Sequence, residues 1–290
     1  MFGFLNVNKP AGPTSHDVVA WIRRLLPRKT KVGHAGTLDP FASGVLVVCV
    51  GPATRLAEYV QRRAKRYTAR ITLGATSTTD DAQGDVQPTG CEIPCSGIDV
   101  QNVLPRFVGK VRQVPPAHSA VHVAGRRAYQ LARAGQDVPL SPRTVAIQMI
   151  RLLRYDWPTL DIDVRCGGGT YIRALARDIG EALGVGGYCS SLTRTAVGPF
   201  VLETAVGLDD VDPARDLLPS TVGLDIPTIW LGEEQVAHLR HGRRVAVAFD
   251  ALPAGATEVA LLDKAGRLLA VAKTEGEGIV QPSKVFFPAE

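Results

Sequence analysis

The sequence predicts an α+β protein in which a small β domain follows a larger domain of helices and strands. Apolar residues recur at helical spacing after residue 14, and they alternate at strand spacing over residues 67–73 and 160–166. Short β-type runs separated by Gly, Pro and Asp turns follow residue 226. We therefore expect a larger domain over residues 1–225 and a small β-barrel over residues 226–290.

The composition favours a globular chain that stays in the cytoplasm. The 290 residues are 45% hydrophobic with a net charge of +5, which is unlike the composition of a disordered chain. The most apolar run, residues 45–50, is far shorter than the roughly 20 residues that span a bilayer. The chain has five cysteines, an odd and sparse set that predicts reduced thiols. None has a Cys or His partner at zinc-site spacing, so we expect no bound metal. Because the apolar run is short, we also expect no membrane partner.

The charge distribution suggests a polyanionic partner. Residues 1–70 contain twelve Lys or Arg residues and three acidic residues. Of the 33 basic residues in the chain, 25 are arginines, whose guanidinium groups make bidentate phosphate contacts. A basic block in a nearly neutral protein is typical of nucleic-acid binding. On charge alone, a solvated basic surface explains the block equally well.

The first half of the chain contains one clear helix and two clear strands. Residues 13–15 supply a turn and candidate N-caps, apolar residues then follow helical spacing to Leu26, and Pro27 ends the predicted helix. Residues 45–50 predict a short buried strand, and residues 67–73 predict a half-buried strand.

The middle of the chain predicts two irregular regions and a second strand–helix unit. Residues 76–100, rich in Thr, Asp, Gly and Pro, predict an irregular connection. Residues 112–143 contain several arginines and predict a small excursion from the main fold. Residues 160–166 alternate as a strand. A glycine-rich loop then leads into an amphipathic helix that begins near Ile172 and stops at Gly184.

Asp39 is the first candidate for a functional carboxylate. It lies in a glycine-rich loop directly before a buried strand, a place where functional side chains are often presented. Pro40 biases Asp39 toward extended backbone geometry, which suits a carboxylate aimed into a cleft. The alternative, which is more frequent in proteins, is an Asp-Pro turn whose side chain caps its own backbone.

Arg173 and Tyr67 are the next candidates. Arg173 lies opposite the apolar stripe of its helix, where it is able to pair with a carboxylate and keep it ionised, as a nucleophile requires. Taken alone, the helix favours a solvated surface arginine. Tyr67 opens a strand on its apolar face and is either a core residue or, in basic surroundings, a platform for a flipped base. No P-loop, dinucleotide or serine-hydrolase motif accompanies these residues.

Together these segments resemble the TruB family of bacterial tRNA pseudouridine-55 synthases. Residues 33–44, with the sequence GHAGTLDPFASG, resemble the catalytic loop of the family. The other segments that resemble its motifs are residues 5–15, 65–67, 169–173 and 191–197. The C-terminal stretch, which ends with residues 281–286, resembles the small RNA-binding PUA domain. The excursion at residues 112–143 resembles the insertion that clamps the tRNA arm.

The resemblance implies a fold and an activity. The implied catalytic domain has a mixed, largely antiparallel sheet flanked by helices, and a small PUA-like β-barrel follows it. The implied reaction converts uridine 55 in the T loop of tRNA to pseudouridine, after the base is flipped out of its stack. It implies tRNA, through its T arm, as the partner, with no cofactor, no guide RNA and no protein partner.

The resemblance also implies roles for individual residues. Asp39 corresponds to the nucleophile, and attack at C1′, attack at C6 and action as a base at C2′ all remain open. The implied pocket residues are Tyr67, Tyr171, Arg173 and Leu192, with Arg173 holding Asp39 ionised. The implied RNA contacts are Lys9, His34, Arg126 and Arg127, and His34 is the candidate to fill the space that the flipped base leaves.

Three rival functions remain open at this point. A guide-RNA-dependent pseudouridine synthase is the closest, although the clamp-like insertion and the lack of long basic tails argue against it. A rival from another class is a tRNA-binding folding factor whose catalysis is incidental. A glycoside hydrolase with Asp39 as nucleophile would need a second carboxylate as acid, for which the sequence offers no obvious candidate.

Overall fold

An eleven-stranded sheet forms the centre of the first 219 residues. The computed structural model describes residues 1–91, 94–119, 122–123, 126–136, 138–248, 252–276 and 278–287. The strands of this first part of the chain are β1 (Gly3–Lys9), β2 (Val32–His34), β3 (Ser43–Val50), β4 (Lys65–Leu73), β5 (Ala75–Ser77), β6 (Val86–Pro88), β7 (Gly109–Gln113), β8 (His122–Val123), β9 (Arg126–Arg127), β10 (Arg143–Asp156), β11 (Thr159–Cys166), β12 (Gly187–Val197), β13 (Phe200–Val201), β14 (Val206–Gly207) and β15 (Leu218–Pro219).

The sheet is mixed and largely antiparallel, as predicted. Its order is β14-β1-β3-β12-β4-β11-β10-β7, with β2, β13 and β15 attached beside β3, β12 and β1. The pairs β1–β14 and β3–β12 are parallel, and the other neighbours along this order are antiparallel. The parallel contact of β3 with β12 places the segment before β3 beside the middle of β12.

Seven α-helices and four short 3-10 helices accompany the strands of the described residues. The α-helices are α1 (Ser15–Arg24), α2 (Ala57–Arg62), α3 (Gly97–Val103), α4 (Ala128–Arg133), α5 (Ile172–Ala182), α6 (Pro213–Asp216) and α7 (Glu233–Arg240). The 3-10 helices are Gly51–Leu56, Leu104–Phe107, Leu202–Thr204 and Leu208–Asp210. No helix of these ranges is long and apolar enough to cross a bilayer.

The two long predicted helices are confirmed, and their ends have local causes. Thr14 and Asp17 form a reciprocal capping box that starts α1. The buried face of α1 packs onto the same apolar cluster of the sheet as that of α5. Gly184 follows α5 with φ +74°, a left-handed conformation that glycine adopts at little cost.

The prediction of an irregular connection over residues 76–100 is wrong in part. Strands β5 and β6 form a hairpin, and α3 starts at Gly97 behind a capping box built from Ser96 and Asp99. Residues 78–85 form the turn of this hairpin, and the turn packs beside β12 through a bridge between Asp81 and Cys189. The hairpin is too short to show a periodic apolar pattern, so propensity alone misses it.

A five-stranded sheet follows in the last part of the chain. Its strands are β16 (Thr228–Trp230), β17 (Val245–Ala246), β18 (Glu258–Leu262), β19 (Leu268–Gly276) and β20 (Ile279–Val285), in the order β16-β18-β19-β20-β17. The edge strands β16 and β17 do not pair in the described ranges, so the expected small barrel is a half-barrel. This fold is consistent with a PUA-like domain.

The half-barrel packs against the large sheet through a shared apolar cluster. Phe4 and Val47 of the large sheet belong to the same cluster as Leu262 of the half-barrel. Phe2 stacks on Phe286 with ring centroids 5.1 Å apart. Burial of a continuous apolar surface favours one fixed arrangement of the two sheets.

We expect Gly44 to be required where three strands converge. Gly44 lies between Lys9 of β1 and Arg194 of β12, at φ +103°, and an added Cβ would lie 2.3 Å from the Arg194 carbonyl oxygen. Gly44→Ala should therefore lower the free energy of unfolding by about 4 kcal/mol or more, measured by urea denaturation.

Gly36→Ala is the matched control, because Gly36 has φ +118° but an added Cβ there meets nothing within 4 Å. This change should cost only the backbone strain, about 1–3 kcal/mol. Equal losses in the two variants would show that the close approach of β12 does not matter.

Candidate active site

A cavity of about 660 Å³ opens where several segments meet at one rim of the large sheet. The loop of residues 35–42, here called the Asp39 loop, forms one wall together with the start of β4 and the middle of β12. The turn at residues 78–85, residues 118–119 and the start of α5 form the other wall. The residues predicted for catalysis and for the pocket all line this cavity: Asp39, Tyr67, Tyr171, Arg173 and Leu192.

The guanidinium group of Arg173 is the centre of the polar wall. Its Nε lies 2.9 Å from Asp39 Oδ2, and its Nη1 lies 3.0 Å from Asp81 Oδ2. Nη1 also donates to the carbonyl oxygen of Thr79, and Nη2 donates to that of His118, each at 3.0 Å. The Arg173 side chain is 4% exposed, so the structure contradicts the solvated surface arginine that the helix pattern alone favours.

The two carboxylates beside Arg173 differ in exposure and in the number of their hydrogen bonds. The Asp81 side chain is 5% exposed, and its Oδ1 accepts hydrogen bonds from the Thr79 hydroxyl and from the Gln83 amide. The Asp39 side chain is 33% exposed, and its contact with Arg173 is an ion pair without hydrogen-bond geometry. Asp81 is thus a fixed structural partner, whereas Asp39 has oxygen atoms that a ligand in the cavity is able to reach.

Buried polar groups hold the backbone of the Asp39 loop. The Ser15 hydroxyl at the start of α1 hydrogen-bonds the carbonyl and the amide of Leu38, each at 2.8 Å. The Arg194 guanidinium, which is 2% exposed, donates to the carbonyl oxygens of Gly36 and Thr37. These contacts fix the backbone on the N-terminal side of Asp39, whose side chain lines the cavity.

Lys9 lies under the same loop, and its position argues against the predicted RNA contact. It is fully buried, and its ammonium group donates to the carbonyl oxygens of Pro10, Pro13 and Pro40 at 2.7–3.3 Å. Burial lowers the pKa of Lys9 from 10.5 to about 8, with the charge of Arg194 contributing in the same direction. Lys9 therefore ties the chain around Pro40 to the end of β1.

The apolar wall of the cavity comes from β4 and β12. Tyr67 and Leu192 are 9% and 5% exposed, and burial raises the pKa of the Tyr67 hydroxyl, which keeps it protonated. Lys65 lies two residues before Tyr67 at the same rim, and burial lowers its pKa to about 8. The wall therefore offers one aromatic and one branched aliphatic side chain to the cavity.

The root of the residue 112–143 excursion is fastened to α5. The buried amide of Gln113 accepts from the Tyr171 amide at 2.9 Å and donates to the Tyr171 carbonyl at 3.0 Å. One turn beyond Arg173, Arg177 donates to the Val114 carbonyl and pairs with Asp80. The helix that carries Arg173 therefore also fixes where this excursion leaves the sheet.

The remaining predicted RNA contacts are His34, Arg126 and Arg127. His34 is the last residue of β2 and is not among the described residues that line the cavity. Its Nδ1 atom is buried and has no hydrogen-bond partner in the described structure. Burial lowers the pKa of His34, and the charge of Arg194 contributes in the same direction. Its role as a wedge stays a prediction. Arg126 and Arg127 form β9, and their side chains lie outside the described part of the structure.

The sequence did not point to two of the residues that organise the site. Asp81 falls in the turn-rich region 76–100, and nothing in the local pattern links it to a helix 92 residues later. Arg194 lies in a segment that resembles a family motif, but its contacts with the Asp39 loop depend on the parallel pairing of β3 and β12. No group of three or more His, Cys, Asp or Glu residues in the described ranges is placed to hold a metal ion.

Comparisons with known proteins give a consistent result. Residues 23–172 match the model of the TruB family pseudouridylate synthase N-terminal domain. Residues 173–218 match the tRNA pseudouridylate synthase B C-terminal domain, and residues 227–286 match the C-terminal model of pseudouridine synthase II TruB.

Similar sequences and structures extend over nearly the whole chain. The tRNA pseudouridine synthase B of Cutibacterium acnes is 44% identical over 95% of this chain and 94% of its own length. That of Syntrophomonas wolfei is 41% identical over 99% of each chain. A chain of an H/ACA RNP bound to a substrate RNA matches with a TM-score of 0.73 at 28% identity, covering 99% of this chain and 86% of that chain.

Asp81→Asn should destabilise the protein, because the buried charge of Arg173 then loses its buried partner. The expected loss in the free energy of unfolding is about 3 kcal/mol, measured by urea denaturation at neutral pH. Asp161→Asn is the control, since Asp161 pairs with Arg70, whose side chain is 53% exposed, and such pairs contribute less than about 1 kcal/mol. Similar small losses in both variants would contradict the role of the Asp81 pair.

Proposed function

This chain belongs to the TruB family of pseudouridylate synthases, and from that premise we propose that it isomerises uridine 55 in the T loop of tRNA to pseudouridine. The observation that carries the proposal is the pairing of Asp39 with buried Arg173 at a cavity walled by Tyr67 and Leu192. The relatives named tRNA pseudouridine synthase B support tRNA as the substrate. The reaction needs no cofactor in this proposal, because it is neither a net oxidation nor a hydrolysis.

The reaction breaks the C1′–N1 bond of the nucleoside and makes a C1′–C5 bond. The proton on C5 is lost to water, and N1 gains a proton, so atoms and electrons balance. The target base must leave its stack, which costs a few kcal/mol, and the wall formed by Tyr67 and Leu192 offers replacement contacts.

Asp39 acts on the flipped nucleoside as an ionised carboxylate. Attack at C1′, attack at C6 and proton removal at C2′ all require an anion in contact with the sugar or the base. Arg173 supplies the positive charge that favours this anion, and its ion-pair contact leaves the Asp39 oxygen atoms accessible. Arg173 is held in turn by Asp81, so Asp81 is a positioning residue for Asp39.

We propose that the chain acts on its own. A guide-RNA-dependent enzyme is the main alternative, and the similar structures include H/ACA complexes at 28–30% identity. The relatives of higher identity, 41% and 44%, are named tRNA pseudouridine synthase B, which favours the guide-independent reaction. In the same proposal, residues 1–225 form the catalytic domain, the excursion at 112–143 clamps the T arm, and residues 226–290 bind RNA.

Asp39→Asn should abolish the reaction and spare binding. The purified variant should release no tritium from C5 of uridine in unmodified tRNA, whereas the unaltered protein should release it without guide RNA. The Kd for tRNA should remain the same within about twofold, because phosphate contacts dominate affinity.

Release that requires added guide RNA would favour the rival enzyme. Release by the Asn variant at the rate of the unaltered protein would remove Asp39 from the mechanism.

Ser119→Ala should lower kcat/KM for the tRNA substrate. Ser119 lines the cavity and is 3% exposed, and its buried hydroxyl has no hydrogen-bond partner in the described structure. A buried hydroxyl without a partner is costly, so we expect it to bond to the pyrimidine. The change should lower kcat/KM about fivefold in the tritium assay, which corresponds to roughly 1 kcal/mol.

Ser190→Ala is the matched control, because the Ser190 hydroxyl bonds to Thr72 and to the carbonyl of Arg70, away from the cavity. It should leave kcat/KM unchanged. Equal effects of the two changes would contradict a contact between Ser119 and the base.

A further inference from the structure

A second, smaller cavity lies at the same rim of the large sheet and opens on its outer face. Its volume is about 370 Å³, and Lys65 lines both this cavity and the active-site cavity. Four adjacent strands place one outward row of residues here. The row, from β12 to β10, is Ala196, Arg66, Arg165 and Met149. We call this cavity the arginine cleft.

Two arginines lie directly opposite each other in the arginine cleft. Arg66 of β4 and Arg165 of β11 are register partners, and both are exposed. Cross-strand partners have Cα atoms about 5 Å apart, and like charges in this arrangement destabilise a sheet.

Two carboxylates act on the arginines of this part of the face, Asp163 through direct contacts and Glu203 through its charge alone. Asp163 accepts hydrogen bonds of 2.8 and 2.6 Å from Arg66, and Arg151 also approaches it at 3.3 Å. Arg165 has no acidic partner among the described residues. The cleft therefore keeps an excess of positive charge that contacts within the chain do not neutralise.

The shape of the cleft leaves room for an anion above the two guanidinium groups. Ala64, Ala196 and Gly198 line it beside the arginines, so short side chains leave the charged groups uncovered. A phosphate group takes bidentate hydrogen bonds from guanidinium groups and would remove the repulsion between Arg66 and Arg165.

We propose that the arginine cleft binds a phosphate of the RNA backbone beside the target nucleotide. The inference rests on the proposed function, since it takes the RNA substrate to be the source of the phosphate. Arg66 directly precedes Tyr67, and Lys65 lines both cavities, so the two sites adjoin each other. The backbone that flanks a nucleotide held at Tyr67 passes over this rim. Contacts of this kind fix the register of the RNA without reading its sequence.

Arg165→Gln tests the proposal with the full-length protein. The Kd for an unmodified tRNA transcript is measured by filter binding between about 50 and 200 mM salt. The variant should bind roughly five- to tenfold more weakly at the lowest salt, and its slope of log Kd against log salt should fall by about one. Arg165→Lys should retain the slope because it keeps the charge.

The matched control is Arg154→Gln, on the same face of the sheet but farther from the rim. The Arg154 side chain is 68% exposed and pairs with Asp156, so its replacement should change neither the Kd nor the slope. The melting temperature of Arg165→Gln should stay equal or rise, since a like-charge contact is removed.

Two results would overturn the proposal: the same Kd and slope for Arg165→Gln and the unaltered protein, or equal changes in the two Gln variants. The binding measurement does not need turnover. A failure of the isomerase assay is therefore distinguishable from a failure of the cleft.

Discussion

The site depends on one buried guanidinium group and the oxygen atoms around it. A buried charge is costly unless it is paired and hydrogen-bonded, and Arg173 meets this condition through Asp39, Asp81 and the carbonyl oxygens of Thr79 and His118. Because a guanidinium is a rigid planar fork, these partners cannot move independently of one another. The position of Asp39 therefore follows from the hairpin turn and from the root of the excursion as well as from its own loop.

The other buried cations near the cavity donate hydrogen bonds to backbone carbonyl oxygens and so shape the site, and the charge of Lys9 also acts on Asp39. Arg194 fixes Gly36 and Thr37, and Lys9 fixes the chain at Pro40. Their positive charges raise the local potential at the cavity, which attracts a polyanion. The same groups thus provide the rigidity of the loop and part of the electrostatic attraction.

Periodicity predicted the long elements, whereas the positions of single charges depended on contacts distant in sequence. The helix α5 was predicted from its apolar stripe, but its opposite face is covered by the turn that carries Asp81, which a helical pattern cannot reveal. The proposed role of Asp39 as nucleophile was suggested by resemblance more than by its loop. The burial of Lys9, which argues against the predicted RNA contact, depends on three carbonyl oxygens that converge only after β1 and the Asp39 loop have folded.

The outer face of the sheet suggests that charge placement follows the substrate rather than stability. In two cross-strand rows on this face, a charged residue of β4 lies opposite a charged residue of β11. At Arg70 the partner is Asp161, with hydrogen bonds of 2.8 and 2.9 Å, and the pair is close to neutral. At the rim the register partner of Arg66 is Arg165, so two like charges lie opposite each other, and the carboxylate that pairs with Arg66 is Asp163 of the next row. Both rows are open to solvent, so solubility does not explain the difference. The row that bears the repulsion is the one beside the cavity, where an anionic substrate would supply the missing charge.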